Sequence, residues 1–82
     1  MAEGRRPLRC QDVLRRLKAF GVIETRQRGS HIILLKPVSP GSPQGPTYPL
    51  PCHSRTVEVS VPTIRATLRK FGVPEAEFWT MK

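Results

Sequence analysis

The stretch Val22-Ile23-Glu24-Thr25-Arg26-Gln27-Arg28-Gly29-Ser30-His31-Ile32-Ile33-Leu34-Leu35-Lys36 decides how this chain folds. Residues 22–28 are β-leaning and mixed in polarity. Strict alternation places Val22, Glu24, Arg26 and Arg28 on one face and Ile23, Thr25 and Gln27 on the other. Gly29-Ser30 is a two-residue turn, and residues 31–36 form a second strand. The spacing predicts a tight hairpin with one of the chain's two histidines at the entry to its second arm.

Upstream of the hairpin, Cys10, Val13, Leu14, Leu17 and Phe20 recur at helical spacing, with Gln11, Asp12, Arg15, Arg16 and Lys18 on the opposite side. Asp12 in the first turn favours the helix dipole, and Gly21 stops the segment. A helix is expected over about residues 10–20. Residues 1–9 read as a flexible basic arm, and residues 10–82 as a single domain.

Downstream, residues 37–51 hold six of the nine prolines, interleaved with Gly41, Gly45, Ser39 and Ser42. A long mobile proline-rich loop is expected over 37–49. A third strand is placed near residues 47–53, at a sheet edge where missing N–H groups are tolerated. Residues 54–60 read as connecting chain. Ile64, Thr67, Leu68 and Phe71 again follow a helical period closed by Gly72, with Pro62 suited to the first turn. Residues 74–79 form a last short helix that docks Phe78 and Trp79 on the core.

The order is α-β-β-β-α, which makes an α+β sandwich: a three-stranded antiparallel sheet with two helices on one face and a short C-terminal helix, like the double-stranded RNA-binding fold. The other sheet face is left open. Yet Ile33 and Leu35 alternate with Ile32 and Leu34, so both faces of the second strand are apolar. Either the proline-rich loop or a chain end covers the open face, or a partner does.

With 82 residues, the chain has room for one modest core. No apolar run is long enough to span a bilayer, and the first residues carry no apolar stretch of a signal peptide, so a cytoplasmic location is expected. On that basis Cys10 and Cys52 are expected as free thiols. A zinc site from Cys10, His31, Cys52 and His53 is disfavoured because no C-x-x-C pair exists. Net charge is +8, with nine Lys and Arg in residues 1–36 against Glu3, Asp12 and Glu24. Such a field attracts polyanions, nucleic acid first.

The six carboxylates are scattered, which argues against a two-metal nuclease or a glycosidase. Metal-free RNA cleavage needs a base for the ribose 2′-OH, an acid for the leaving oxygen, and cations for the phosphorane. Histidine suits the first two roles and arginine or lysine the third. His31, His53 and the cations Arg26, Arg28 and Lys36 supply those residue types. Each also has a structural reading: His31 capping a turn, His53 within a packed Pro51-Cys52-His53 turn, and the cations facing solvent.

The chain resembles the HicA toxins, small mRNA interferases of toxin–antitoxin systems. The likeness runs through Lys18-Ala19-Phe20-Gly21, Arg26-Gln27-Arg28-Gly29-Ser30-His31, Pro51-Cys52-His53, the segment Thr63 to Gly72, and Glu77-Phe78, over roughly residues 8–80. It implies the fold reached above. It implies His31 as the catalytic histidine, acting as base or acid. Arg26 and Arg28 would then bind phosphates, with Lys36 a weaker candidate. Gly29 would admit the RNA backbone, and Ser30 would support the turn. His53 would be a second proton-transfer group or an organiser of the third strand. It further implies cleavage of mRNA with no metal or cofactor, and a HicB-type antitoxin that blocks the site. The chain departs from the family pattern in the proline-rich insertion, in Pro62 where glycine commonly stands, and in Ile32 where a second histidine is frequent. A non-catalytic RNA-binding module of the same fold is the alternative, and a pure protein-interaction subunit is a third reading.

Overall fold

Two short leader strands start the two long helices side by side. In the computed structural model, which describes residues 5–81, β1 (Leu8–Arg9) runs into α1 (Cys10–Lys18). The hairpin follows as β2 (Ile23–Arg28) and β3 (His31–Leu35), then β4 (Thr47–Pro51) and β5 (Glu58–Val59). The chain closes with α2 (Val61–Phe71) and α3 (Glu75–Trp79). Strands β2, β3 and β4 form the antiparallel sheet in that order, while β1 pairs with β5 through Leu8–Val59 and Arg9–Glu58. The fold is the expected α+β sandwich, with α1 packed against β2 and α2 against β4.

Helix α2 starts and ends where the sequence says it should. Ser60 Oγ caps α2 by accepting from the Thr63 N–H, Pro62 sits in the first turn, and Gly72 takes a left-handed φ of 66°. The Val73 N–H then returns to the Leu68 carbonyl at 2.9 Å, closing a Schellman turn. α1 stops two residues short of the expected Phe20. Its last carbonyls, on Arg16 and Leu17, instead accept from Ala19 and Phe20 in tighter i+3 bonds before Gly21, at φ 82°.

Beneath the sheet, Val13, Leu17, Ile32, Leu34, Leu50, Ile64, Leu68 and Phe78 form one core. Phe78 and Trp79 meet edge to face at 5.3 Å and dock as expected. Arg16 is not on the solvent side of α1. It is 7% exposed, donates from Nη1 to the Phe78 carbonyl at 3.1 Å, and lies 5.6 Å from the Phe78 ring centre. Burial, aided by neighbouring Arg15, pushes its pKa down. A guanidinium stem is long enough to bury its methylenes while its head caps α3.

Four further expectations are corrected. Leu8 and Arg9 are not arm but strand, with Leu8 buried against Val59; residues 1–4 lie outside the described residues. Residues 54–60 are not merely connecting chain, since Glu58–Val59 is β5. The proline-rich segment is a hydrogen-bonded extension of the β3–β4 hairpin rather than a detached loop. Lys36 N–H bonds the Pro46 carbonyl at 3.1 Å and Val38 N–H the Gln44 carbonyl at 2.9 Å. A turn at Ser39-Pro40-Gly41-Ser42 closes it, with Gly41 at φ 80° and the Ser42 N–H on the Ser39 carbonyl. Finally, Cys10 and Cys52 are not free thiols. They form a disulfide with Cα atoms 5.9 Å apart, joining the start of α1 to the end of β4. With both sulfurs committed to each other, the four-residue zinc arrangement does not form. Among the described residues, no helix is long and apolar enough to cross a membrane.

Candidate functional site

A β-bulge decides which side chains share a face with His31. The pairing of β2 with β3 shifts between Glu24 and Arg26, so Thr25 is the extra residue. Glu24 pairs with Leu34, on the helix side, while Arg26 pairs with Ile33 and Arg28 with His31, on the open side. The strict alternation expected for residues 22–28 therefore breaks at Thr25, and the two arginines lie on the opposite face from Val22 and Glu24. Thr25 Oγ1 donates to the Ile33 carbonyl at 2.9 Å and pins the bulge.

The turn itself is held from three sides. Gly29 has φ 58° and Ser30 a negative φ, the pattern of a type II′ hairpin turn. The Ser30 carbonyl accepts from the Cys52 N–H at 2.7 Å. Gln27 Nε2 donates to the Gly29 carbonyl at 3.2 Å and to the Cys52 carbonyl at 3.1 Å. Directly opposed strand residues have Cβ atoms about 5 Å apart. His31 is thus fixed beside Arg28, and the disulfide secures the segment that holds the turn.

Strand β4 completes the face. His31 pairs with Pro51, Ile33 with Pro49 and Leu35 with Thr47. Arg28, His31, Ile33, Thr47 and Pro49 line an open depression of about 440 Å³. The bonds from Cys52 to Ser30 and from Lys36 to Pro46 set the ladder alternation. They turn the N positions of residues 47, 49 and 51 away from β3, and two of those residues are proline. This edge offers little to an incoming strand. The open face is partly closed by the chain itself, since Leu35 is buried although it points away from the helices.

The structure brings together Arg26, Arg28, Gly29, Ser30 and His31. It does not bring Lys36 to them. Lys36 lies on the helix side, where Nζ donates to the Phe71 carbonyl at the end of α2, 3.2 Å away. His53 is exposed in a bend beyond β4 and does not line the depression. Sequence reading missed Thr47 and Pro49 as lining residues because the length of the proline-rich insertion hid the β3–β4 register. Ile33 was legible, being two residues from His31 and therefore on its face.

The site is electropositive. Among the described residues, the carboxylates of Asp12, Glu24 and Glu75 are taken by Arg15, Arg55, Arg5 and Arg65, and none lies on Arg26 or Arg28. The hydrogen bond from Arg55, at 2.8 Å, holds the Glu24 carboxyl below its usual range. Also among the described residues, no group of three or more His, Cys, Asp or Glu is gathered to hold a metal ion.

The fold and site together define a small basic α+β domain with a histidine and two arginines on the sheet face away from the helices. Residues 10–73 match the family described as HicA toxin of bacterial toxin-antitoxin, which is most of the 82-residue chain. The protein belongs to that family and is a toxin of a toxin–antitoxin system, with a cognate antitoxin as partner. No curated protein and no solved structure gave a significant match.

Proposed function

We propose that this toxin is a metal-independent endoribonuclease that cleaves mRNA in the cytoplasm, with His31 as its catalytic residue, and that a HicB-type antitoxin neutralises it. The observation that carries the reading is the cross-strand pair Arg28–His31 at the mouth of a depression on the sheet face away from the helices. The attacking ribose 2′-oxygen loses its proton and bonds to phosphorus, and the 5′-oxygen departs with a proton. His31 moves one of these protons, as base or as acid. Arg28, with Arg26 one pair further along the face, offsets the charge that grows on the phosphorane oxygens. Gly29 keeps the turn free of a side chain where the RNA backbone passes, and Ser30 anchors the turn through its carbonyl. Lys36 and His53 are assigned no step.

Replacing His31 with alanine should lower RNA cleavage by about 10²–10⁴-fold, the range for loss of a proton-transfer group. It should also abolish growth inhibition while the unfolding midpoint stays put. Cleavage at the wild-type rate by that variant would overturn the assignment. One observation favours the alternative, an RNA-binding module without cleavage: His31 is the sole imidazole among the lining residues of the depression, so a second proton-transfer group is not seen beside it there. Retention of intact RNA by the pure wild-type protein would select that alternative.

A further inference from the structure

We infer that the depression beside His31 is a subsite for one unpaired nucleobase of single-stranded RNA, and that the Thr47 hydroxyl reads the edge of that base. This rests on the RNA-directed reading above and goes further, because it assigns a specificity residue and a conformation of the substrate.

The lining is divided along the strands. Arg28 and His31 stand at the turn end, the cross-strand partners Ile33 and Pro49 lie further from the turn, and Thr47 lies further still. Leu35, the partner of Thr47, is four residues from His31, or about 13 Å along the strand. The cationic end suits a phosphate. The far end has no charge and presents two aliphatic surfaces and one hydroxyl, which suits a flat, uncharged group with polar edges. The volume of about 440 Å³ falls within the range of small-molecule sites and holds a base together with part of its sugar.

A duplex presents phosphates and 2′-hydroxyls along its rim and keeps its bases inside, so an apolar floor has nothing to receive from it. An unpaired base has an exposed face for Ile33 and Pro49 to cover. The chain's one tyrosine does not serve as an aromatic platform here: Tyr48 pairs with Leu34, on the helix side. The base is therefore held by aliphatic contact, and discrimination falls to Thr47, whose hydroxyl both donates and accepts. A peptide strand is the competing occupant of such a face, and Pro49 and Pro51 deny it edge hydrogen bonds.

The test is Thr47→Val, which keeps the side-chain shape and removes the hydroxyl. Purified wild-type and variant proteins are incubated with a randomised single-stranded RNA, and cut sites are sequenced. Wild type should show a base preference at one nucleotide beside the cut. In the variant that preference should fall by up to about tenfold, the effect of one net hydrogen bond. An unchanged cut-site distribution in Thr47→Val would overturn the inference. Failure of wild type to cut any RNA defeats the ribonuclease reading instead. The subsite is then decided by relative affinities for oligo-U, oligo-A, oligo-C and oligo-G in wild type and Thr47→Val: a preference lost in the variant supports it, and identical ratios refute it.

Discussion

Reduction of the Cys10–Cys52 bridge should cost this protein about 4 kcal/mol of stability, and the figure follows from where the bridge lies. The cysteines are 42 residues apart in sequence. Closing a loop of that length removes about 13 cal/mol/K of entropy from the unfolded chain, or about 4 kcal/mol at 25 °C. Native contacts change little on reduction, because Cys10 and Cys52 are 0% and 1% exposed and their thiols remain packed. A domain of 82 residues has a total stability of roughly 4–12 kcal/mol, so the bridge accounts for a large fraction. The melting temperature should fall by roughly 20 °C. Urea unfolding of oxidised and reduced protein at pH 7, followed through the fluorescence of buried Trp79, measures the difference. The double variant Cys10→Ala/Cys52→Ala should be insensitive to reductant. A difference below about 1 kcal/mol between the oxidised and reduced forms would refute the loop-closure reasoning.

Two further outcomes follow from single contacts. Gly45 stands at φ 152°, where a Cβ would overlap the Lys36 carbonyl oxygen, so Gly45→Ala should cost about 1–3 kcal/mol in urea unfolding and loosen the hairpin extension. The Glu24 carboxyl is held below its usual range, chiefly by the hydrogen bond from Arg55. A carboxyl whose folded pKa is depressed lends stability that is complete above its unfolded value, near ~4.3, and is lost as pH falls through the folded value. Melting temperatures measured from pH 7 down to pH 2 should therefore converge for wild type and Glu24→Gln at the acid end, with the variant lower at neutral pH. Because the pair is solvent-screened, the gap should be small.

The hairpin, both long helices and the docking of Phe78 and Trp79 could be read from spacing, because each depends on local periodicity and on glycine stops. What could not be read depended on contacts between distant residues. The bulge at Thr25 moved Arg26 and Arg28 across the sheet, and no local signal in Thr25-Arg26 announces an extra residue. Arg16 reads as a surface cation until α3 is known to present the Phe78 carbonyl to it. Proline density predicted a mobile loop over 37–49, yet Pro40-Gly41 is a turn and Pro49 lies at a position whose nitrogen faces away from β3. The disulfide was missed because a cytoplasmic expectation weighed against it, whereas the fold sets the Cα atoms of Cys10 and Cys52 at bridging distance. Of the candidate site, His31, Arg26, Arg28, Gly29 and Ser30 were legible as one run, while Thr47 and Pro49 needed the β4 register.

The most direct measurement is the chemistry of the cut ends. Purified protein, free of antitoxin, is incubated with a 5′-labelled single-stranded RNA in excess chelator, and the product termini are identified by mass spectrometry. Attack by the ribose 2′-oxygen with His31 moving the proton predicts cleavage that survives the chelator. It leaves a 2′,3′-cyclic phosphate on one fragment and a 5′-hydroxyl on the other, and the cleavage is lost in His31→Ala. Products bearing a 5′-phosphate, or cleavage that persists undiminished in His31→Ala, would contradict the account.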